Sequence, residues 1–276
     1  MKENISFTYY TIIGRDPQLI KDHLTNVTQY AGFDKLECEK KLLVVVYRNA
    51  SIPPHITEDI VKVCTSFGAQ VEFYDEPVTQ FITNLYACWN LGYEKSLDGL
   101  VFRGGSDQVF SKDSFVALYE EGQKIANDKV VLQANTVENE QRLAEMNSRS
   151  RHMIMSLGNT FAEFDWKKFE AACSFINSDS KLNNKSLVSI EEALDIWGHP
   201  TFERTTLGVI NRCDGCSWLM KKSDWEQFGP LPVIENGITG DVVIHDRLQV
   251  SGYTSYIVKD CITYHFVRGE SKGHTQ

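Results

Sequence analysis

The chain has 276 residues, enough to bury a sizeable core, and its 42% hydrophobic and 24% charged content is that of a globular protein. Seven prolines and 18 glycines argue against a fibrous or disordered chain, and 28 basic against 37 acidic residues leave a net charge of −9, which argues against broad electrostatic binding to nucleic acid or anionic membrane. No run reaches the ~20 apolar residues of a membrane span, the N-terminal stretch lacks a small-residue cleavage site, and seven cysteines at irregular spacing read as reduced thiols, so the expected setting is cytoplasmic.

Residues 7–13 are β-branched and aromatic and stop at Gly14, as a strand does. Asp16-Pro17 then opens a helical pattern over 18–30, with proline in its first turn. Residues 41–47 contain the uninterrupted run Leu42-Leu43-Val44-Val45-Val46, which fits a strand buried on both faces of a parallel sheet. A helix over 57–66, a strand over 70–74, a helix over 79–93 and a strand over 98–102 follow. Strand and helix alternating over short connections imply βαβ units, and ligands of such sheets bind outside the carboxyl ends of the strands. The loops Gly14-Arg15-Asp16, Tyr47-Arg48-Asn49, Asp75-Glu76 and 104–108 are therefore the candidate site loops.

Further on, the pattern predicts a helix over 111–127, a strand over 129–134, a charged exposed helix over 137–153, an amphipathic helix over 165–176 and a polar, mobile loop over 177–186. There is no internal repeat. Cys213-x-x-Cys216 is a single pair without a second at zinc-site spacing. The dinucleotide fingerprint, the phosphate-binding Gly-Lys-Ser/Thr loop, the Gly-x-Ser-x-Gly elbow and the His-Glu-x-x-His helix are all missing.

What remains is a constellation of acids and one histidine. The loop Arg103-Gly104-Gly105-Ser106-Asp107-Gln108-Val109-Phe110-Ser111-Lys112-Asp113 resembles the DxD region of GT-A glycosyltransferases, in particular the large family two. Gly240-Asp241, Arg247, Gly252-Tyr253 and His265 stand at the spacings of that family's Glu-Asp helix, Gly-Tyr turn and C-terminal histidine. Cys88-Trp89-Asn90-x-Gly92 resembles the Ala-Arg-Asn-x-Gly helix that precedes the DxD strand. Phe228-Gly229-Pro230-Leu231 resembles the turn before the Glu-Asp motif. Gly105 and Gly240 replace acids that the family usually carries.

The resemblance implies an α/β, Rossmann-like GT-A fold with a mostly parallel central sheet flanked by helices. It implies one domain over 1–276, with a nucleotide-sugar-binding half over about 1–135 and an acceptor-side half over about 136–276. The implied activity is transfer of a hexosyl or pentosyl group from a nucleotide-sugar, a UDP-sugar first among donors, to an acceptor hydroxyl, with inversion. Asp241 is the implied general base, which takes up the hydroxyl proton as it becomes acidic in the transition state. Asp107 and His265 are the implied ligands of a divalent cation, Mn2+ or Mg2+, that neutralises the departing diphosphate. Arg268 faces the diphosphate as a charge clamp. Thr11, Gly14, Arg15, Tyr47, Arg48, Asn49, Asp75, Asn90, Gly105 and Ser106 are the expected donor-side residues, with Tyr47 able to stack on a base; Trp218 and Gly240 are expected on the acceptor side. The acceptor is open between a glycan, a lipid-linked glycan, a protein and a modified nucleic acid, for the last of which Arg142, Arg149, Arg151 and His152 form a basic patch. The alternative is a GT-A-like protein that binds a nucleotide or glycan with little or no transfer, given Gly105 and Gly240.

Overall fold

The structure, a computed structural model, describes residues 5–75, 81–139, 154–197, 202–205, 208–211, 217–231, 234–235 and 238–266. The strands are β1 (Ser6–Ile13), β2 (Lys40–Arg48), β3 (Gln70–Asp75), β4 (Gly99–Arg103), β5 (Gln108–Phe110), β6 (Val130–Asn139), β7 (Ile154–Met155), β8 (Leu187–Ser189), β9 (Phe202–Thr205), β10 (Gly208–Asn211), β11 (Trp218–Lys221), β12 (Ile234–Glu235), β13 (Ile238–Thr239) and β14 (Thr254–His265). The α-helices are α1 (Pro17–Thr25), α2 (Pro54–Ser66), α3 (Phe81–Glu94), α4 (Ser114–Lys124), α5 (Trp166–Ile176), α6 (Ile190–Trp197), α7 (Lys222–Phe228) and α8 (Gly240–Val250).

The main sheet runs β3-β2-β1-β4-β11-β6-β14-β5, with β7 beside β6 and β8 beside β14. Its first four strands are parallel. β11 then enters antiparallel between β4 and β6, so one sheet takes strands from both halves of the sequence. β14 runs parallel to β6 and antiparallel to β5.

Alternation along the strands sends successive side chains to opposite faces. Tyr9, Val44, Phe102 and Leu132 pack with Leu19, Ile20, Ile60, Phe115 and Leu118 of α1, α2 and α4. Their neighbours Tyr10, Leu43, Val101 and Val131 pack with Tyr86, Trp89 and Tyr93 of α3 and Ile244 and Leu248 of α8. The unbroken Leu42 to Val46 run is buried throughout because both faces of β2 are covered. A third cluster, around Val109, Val137, Tyr264 and Phe266, seats Phe169 and Ile176 of α5.

Three expectations change. The helix expected over 18–30 is α1 followed by a π-helical turn, Asn26–Tyr30. Asn26 is pulled into that turn because its amide donates to the Phe110 carbonyl at 3.0 Å and accepts from the Phe110 N–H at 2.8 Å, covering the outer edge of β5. The start of the helix expected over 137–153 is strand instead: pairing with β14 extends β6 to Asn139, with His265 opposite Glu138, and residues 140–153, including Arg142 and Arg149, together with Arg151 and His152, lie outside the described residues. The loop over 177–186 holds a 3-10 turn, Ser180–Leu182, whose Leu182 is 1% exposed.

Candidate active site

β4 ends at Arg103, and the chain turns through Gly104 and Gly105 into Ser106 and Asp107. A Cβ at Gly104 would lie 2.4 Å from the Tyr9 hydroxyl, so only glycine lets the chain cross the end of β1 here. The turn is closed by Gln108 N–H donating to the Gly105 carbonyl at 3.2 Å and Gly105 N–H donating to Gln108 Oε1 at 2.7 Å. β5 then pairs with the end of β14, setting Gln108 opposite His265, and Phe266 N–H donates to the Asp107 carbonyl at 3.0 Å.

That register joins two residues 158 positions apart: His265 Nε2 and Asp107 Oδ2 are 2.9 Å apart, with both side chains 2% exposed or less. The carboxylate oxygen and imidazole nitrogen are donor types that a divalent cation accepts, with diphosphate oxygens and waters left to complete its shell. Gly105, where an acid was expected from the resemblance, is packed against this pair, and a Cβ there would sit 2.6 Å from Asp107 Oδ1. Among the described residues no group of three or more His, Cys, Asp or Glu is placed to hold a metal ion, so Asp107 and His265 could offer a cation only a two-residue half-shell. His23 lies behind it, its ring bonded to the Gln108 carbonyl and the Tyr9 hydroxyl.

The segment that leads to α8 is moored by α3. Asn90 Nδ2 donates to the Leu231 carbonyl at 3.1 Å, and Asn90 Oδ1 accepts from the Leu231 N–H at 2.8 Å. Asn90, expected at the diphosphate, thus clasps the segment that leads to α8. Arg247 donates to the Phe228 carbonyl at 2.9 Å, and Tyr253 donates to Asp224 Oδ1 at 2.8 Å, so α7 and α8 are tied together. Burial of Asp224 raises its carboxyl above the ordinary range, opposed by the Tyr253 hydrogen bond. Gly252, at φ +83°, ends α8 in the left-handed conformation glycine favours. Gly240 and Asp241 open α8 in the backbone, where an acid sits favourably at the positive end of the helix dipole; the Asp241 side chain and all of Arg268 lie outside the described residues.

Of the residues expected to bind the donor, Thr11 is fully buried with its hydroxyl unpartnered, and Gly14 follows at the buried end of β1. Arg15 donates to Ser51 Oγ at 2.5 Å, and Asn49 Oδ1 accepts from the Ser51 N–H at 2.9 Å, so those two residues brace one loop. Tyr47 stacks on Tyr74, 6.4 Å between centroids. Arg48 and Asp75 form a bidentate pair, both bonds 2.7 Å, on the exposed rim of β2 and β3. Ser106 is buried beside Asp107. Trp218, expected on the acceptor side, is 1% exposed and lies in the core of its face.

Arg103 was not singled out by sequence. Its guanidinium is buried, 3.7 Å from the Trp89 ring centroid and 4.4 Å from that of Trp218. The signal available was an arginine ending an otherwise apolar strand. Gln133 and Asn135, polar residues inside the apolar run of β6, were likewise passed over.

No known family description matches the sequence, and no curated protein does. Solved structures do match. One is GalNAc-T7 with UDP, GalNAc and Mn2+, with a TM-score of 0.59 at 9% identity over 100% of this chain and 46% of that one. Another is the mannosyltransferase PcManGT from Pyrobaculum calidifontis with GDP-Man and Mn2+, with a TM-score of 0.57 at 10% identity over 98% of this chain and 59% of that one. The chain spans about half the length of these structures. Strand order and these likenesses together assign the chain the GT-A-type glycosyltransferase fold.

Proposed function

We propose that this protein is a metal-dependent glycosyltransferase that moves a sugar from a nucleotide-sugar to an acceptor hydroxyl with inversion. The observation that carries the reading is the Asp107–His265 pair, drawn together at 2.9 Å at the carboxyl end of the sheet. The solved structures of this fold hold UDP or GDP-Man with Mn2+, in support of a UDP- or GDP-sugar donor.

Asp107 and His265 would hold the divalent cation, which would supply Lewis-acid neutralisation of the diphosphate. The ends of β1 and β2, with Thr11 and Gly14 buried and Arg15 and Asn49 bracing one loop, seat the nucleotide. Arg268 clamps the diphosphate. Asp241, in the first turn of α8, accepts the acceptor hydroxyl proton while that oxygen bonds to the anomeric carbon. The bond from the anomeric carbon to the phosphate oxygen breaks, and the nucleoside diphosphate leaves with its electron pair. Asn90, by fixing Leu231, sets where α8 and its base stand.

The direct experiment is a donor screen with Mn2+, followed by the variant Asp241→Asn on the best donor. Removal of a general base is worth ~10²–10⁴ in rate, so the variant is expected to bind donor normally and to lose turnover by that factor; turnover within a few-fold of wild type would sink the assignment of Asp241. A second reading is favoured by the packing of Gly105 against Asp107, which leaves the half-shell one acid short: a GT-A-like protein that binds nucleotide without turnover. It predicts calorimetric binding of a nucleoside diphosphate and no hydrolysis or transfer from any donor tested.

A further inference from the structure

On the face of the sheet that carries α3 and α8, the inward side chains of β6 run Val131, Gln133, Asn135, Val137. Val131 belongs to the apolar cluster under α3 and α8, and Val137 to the one under α5. Between them lies a polar gap. Gln133 is 3% exposed and Asn135 fully buried. Neither Nδ2 nor Oδ1 of Asn135 has a hydrogen-bond partner, nor does Nε2 of Gln133. A buried amide without partners is costly, and the large majority of buried polar atoms in folded proteins have one. Two such residues, two positions apart on one strand face, point to a ligand.

Their neighbours say which. Gln133 stands beside Trp218, whose ring covers the Arg103 guanidinium, and Arg103 is the last residue before the turn to Asp107. Asn135 stands opposite Ile262, where the register of β14 shifts after Val258, and β14 reaches His265 three residues later, opposite Glu138. Register breaks of this kind re-aim side chains and are frequent next to active sites. The two amides therefore lie on β6, the strand between β11, which carries Trp218, and β14, which carries His265. They offer uncharged donors and an acceptor next to an aromatic ring. That chemistry suits the hydroxyls of a sugar ring, which both donate and accept and carry no charge.

We propose that Gln133 and Asn135 are binding residues for sugar hydroxyls. The inference rests on the transferase reading and adds to it the residues that select the sugar. Two sources share this chemistry, the transferred sugar of the donor and the sugar of an acceptor glycan.

The test uses the full chain with Mn2+ and calorimetry. Titrants are UDP, GDP, UDP-glucose, UDP-galactose, UDP-N-acetylgalactosamine and GDP-mannose, and then the methyl glycosides of the same sugars in the presence of the nucleoside diphosphate that binds. The variants are Asn135→Leu and Gln133→Met, close in shape and without the amide, with Asn135→Ser as a smaller polar change should leucine not fit. The expected result is about tenfold or greater weakening for nucleotide-sugars, with the nucleoside diphosphate bound as before and the melting temperature unchanged or higher, since an apolar isostere removes an unmet polar group. Weakening confined to the methyl glycosides assigns the residues to the acceptor sugar and equally supports the site. Variants that bind every titrant like wild type but melt lower would overturn the inference, because the amides would then be held by internal water. Equal weakening for sugar-bearing and sugar-free nucleotides would overturn it too. Wild-type protein that takes up no nucleotide ends the transferase reading and this inference with it, whereas wild-type-like binding in the variants ends this inference alone.

Discussion

The ring of His23 is held at both nitrogens. The Gln108 carbonyl, 3.0 Å from Nδ1, can only accept, so Nδ1 carries the proton and Nε2 accepts from the Tyr9 hydroxyl at 2.6 Å. Burial, opposed by that carbonyl and by the nearby Asp107, lowers the pKa to about 4. The folded value lies below the ordinary value of 6.5, so the unfolded chain takes up the proton first as pH falls. The neutral ring's contribution is thus fully present above pH 6.5 and is lost between there and pH 4, a change of roughly 3 kcal/mol for this shift. Melting curves from pH 7.5 to 4 should show a steep acid limb in wild type and a flatter one in His23→Gln; equal slopes would show that this ring does not control it. The same residue shows what a sequence hides. His265 and Asp107 were legible because a motif spacing marks them, whereas His23 sits in an unremarkable helix and acquires its role only when β5 folds over it.

Among the elements, β2 was legible because a strand buried on both faces is written as an apolar run that few other structures tolerate. The π-turn after α1 was not, since its cause is a hydrogen-bonding edge 84 residues away at Phe110. Residues 137–139 read as helix by composition and became strand because β14 supplied partners, a case of tertiary pairing overriding local preference. The motif around Asn90 was found by its resemblance, but only the structure shows both amide atoms spent on Leu231. Asn90→Ala strands that residue's N–H and carbonyl, so it should cost about 1–3 kcal/mol. It should also reduce turnover by loosening the approach to α8 while leaving nucleoside diphosphate binding intact. Nucleotide affinity falling in step with turnover would return Asn90 to the diphosphate.

At the scale of the molecule, the sheet is assembled out of sequence order. β4 finds its second neighbour in β11, and β6 lies between β11 and β14, two strands from the second half. A chain stopped after residue 139 would keep β1 to β4 but leave β6 without either neighbour, and is expected to give no cooperative melt and to precipitate. A soluble fragment with a sharp transition would mean that the first half folds by itself. In the growing polypeptide, the edge of β4 emerges well before Trp218, by on the order of ten seconds at ~5–20 residues/s. During that interval Val101 and Phe102 lie on an open strand, ready to join any other extended chain nearby. The antiparallel strand that joins β4 to β6 is therefore also what closes this window, and chaperone dependence during synthesis should track how soon β11 arrives.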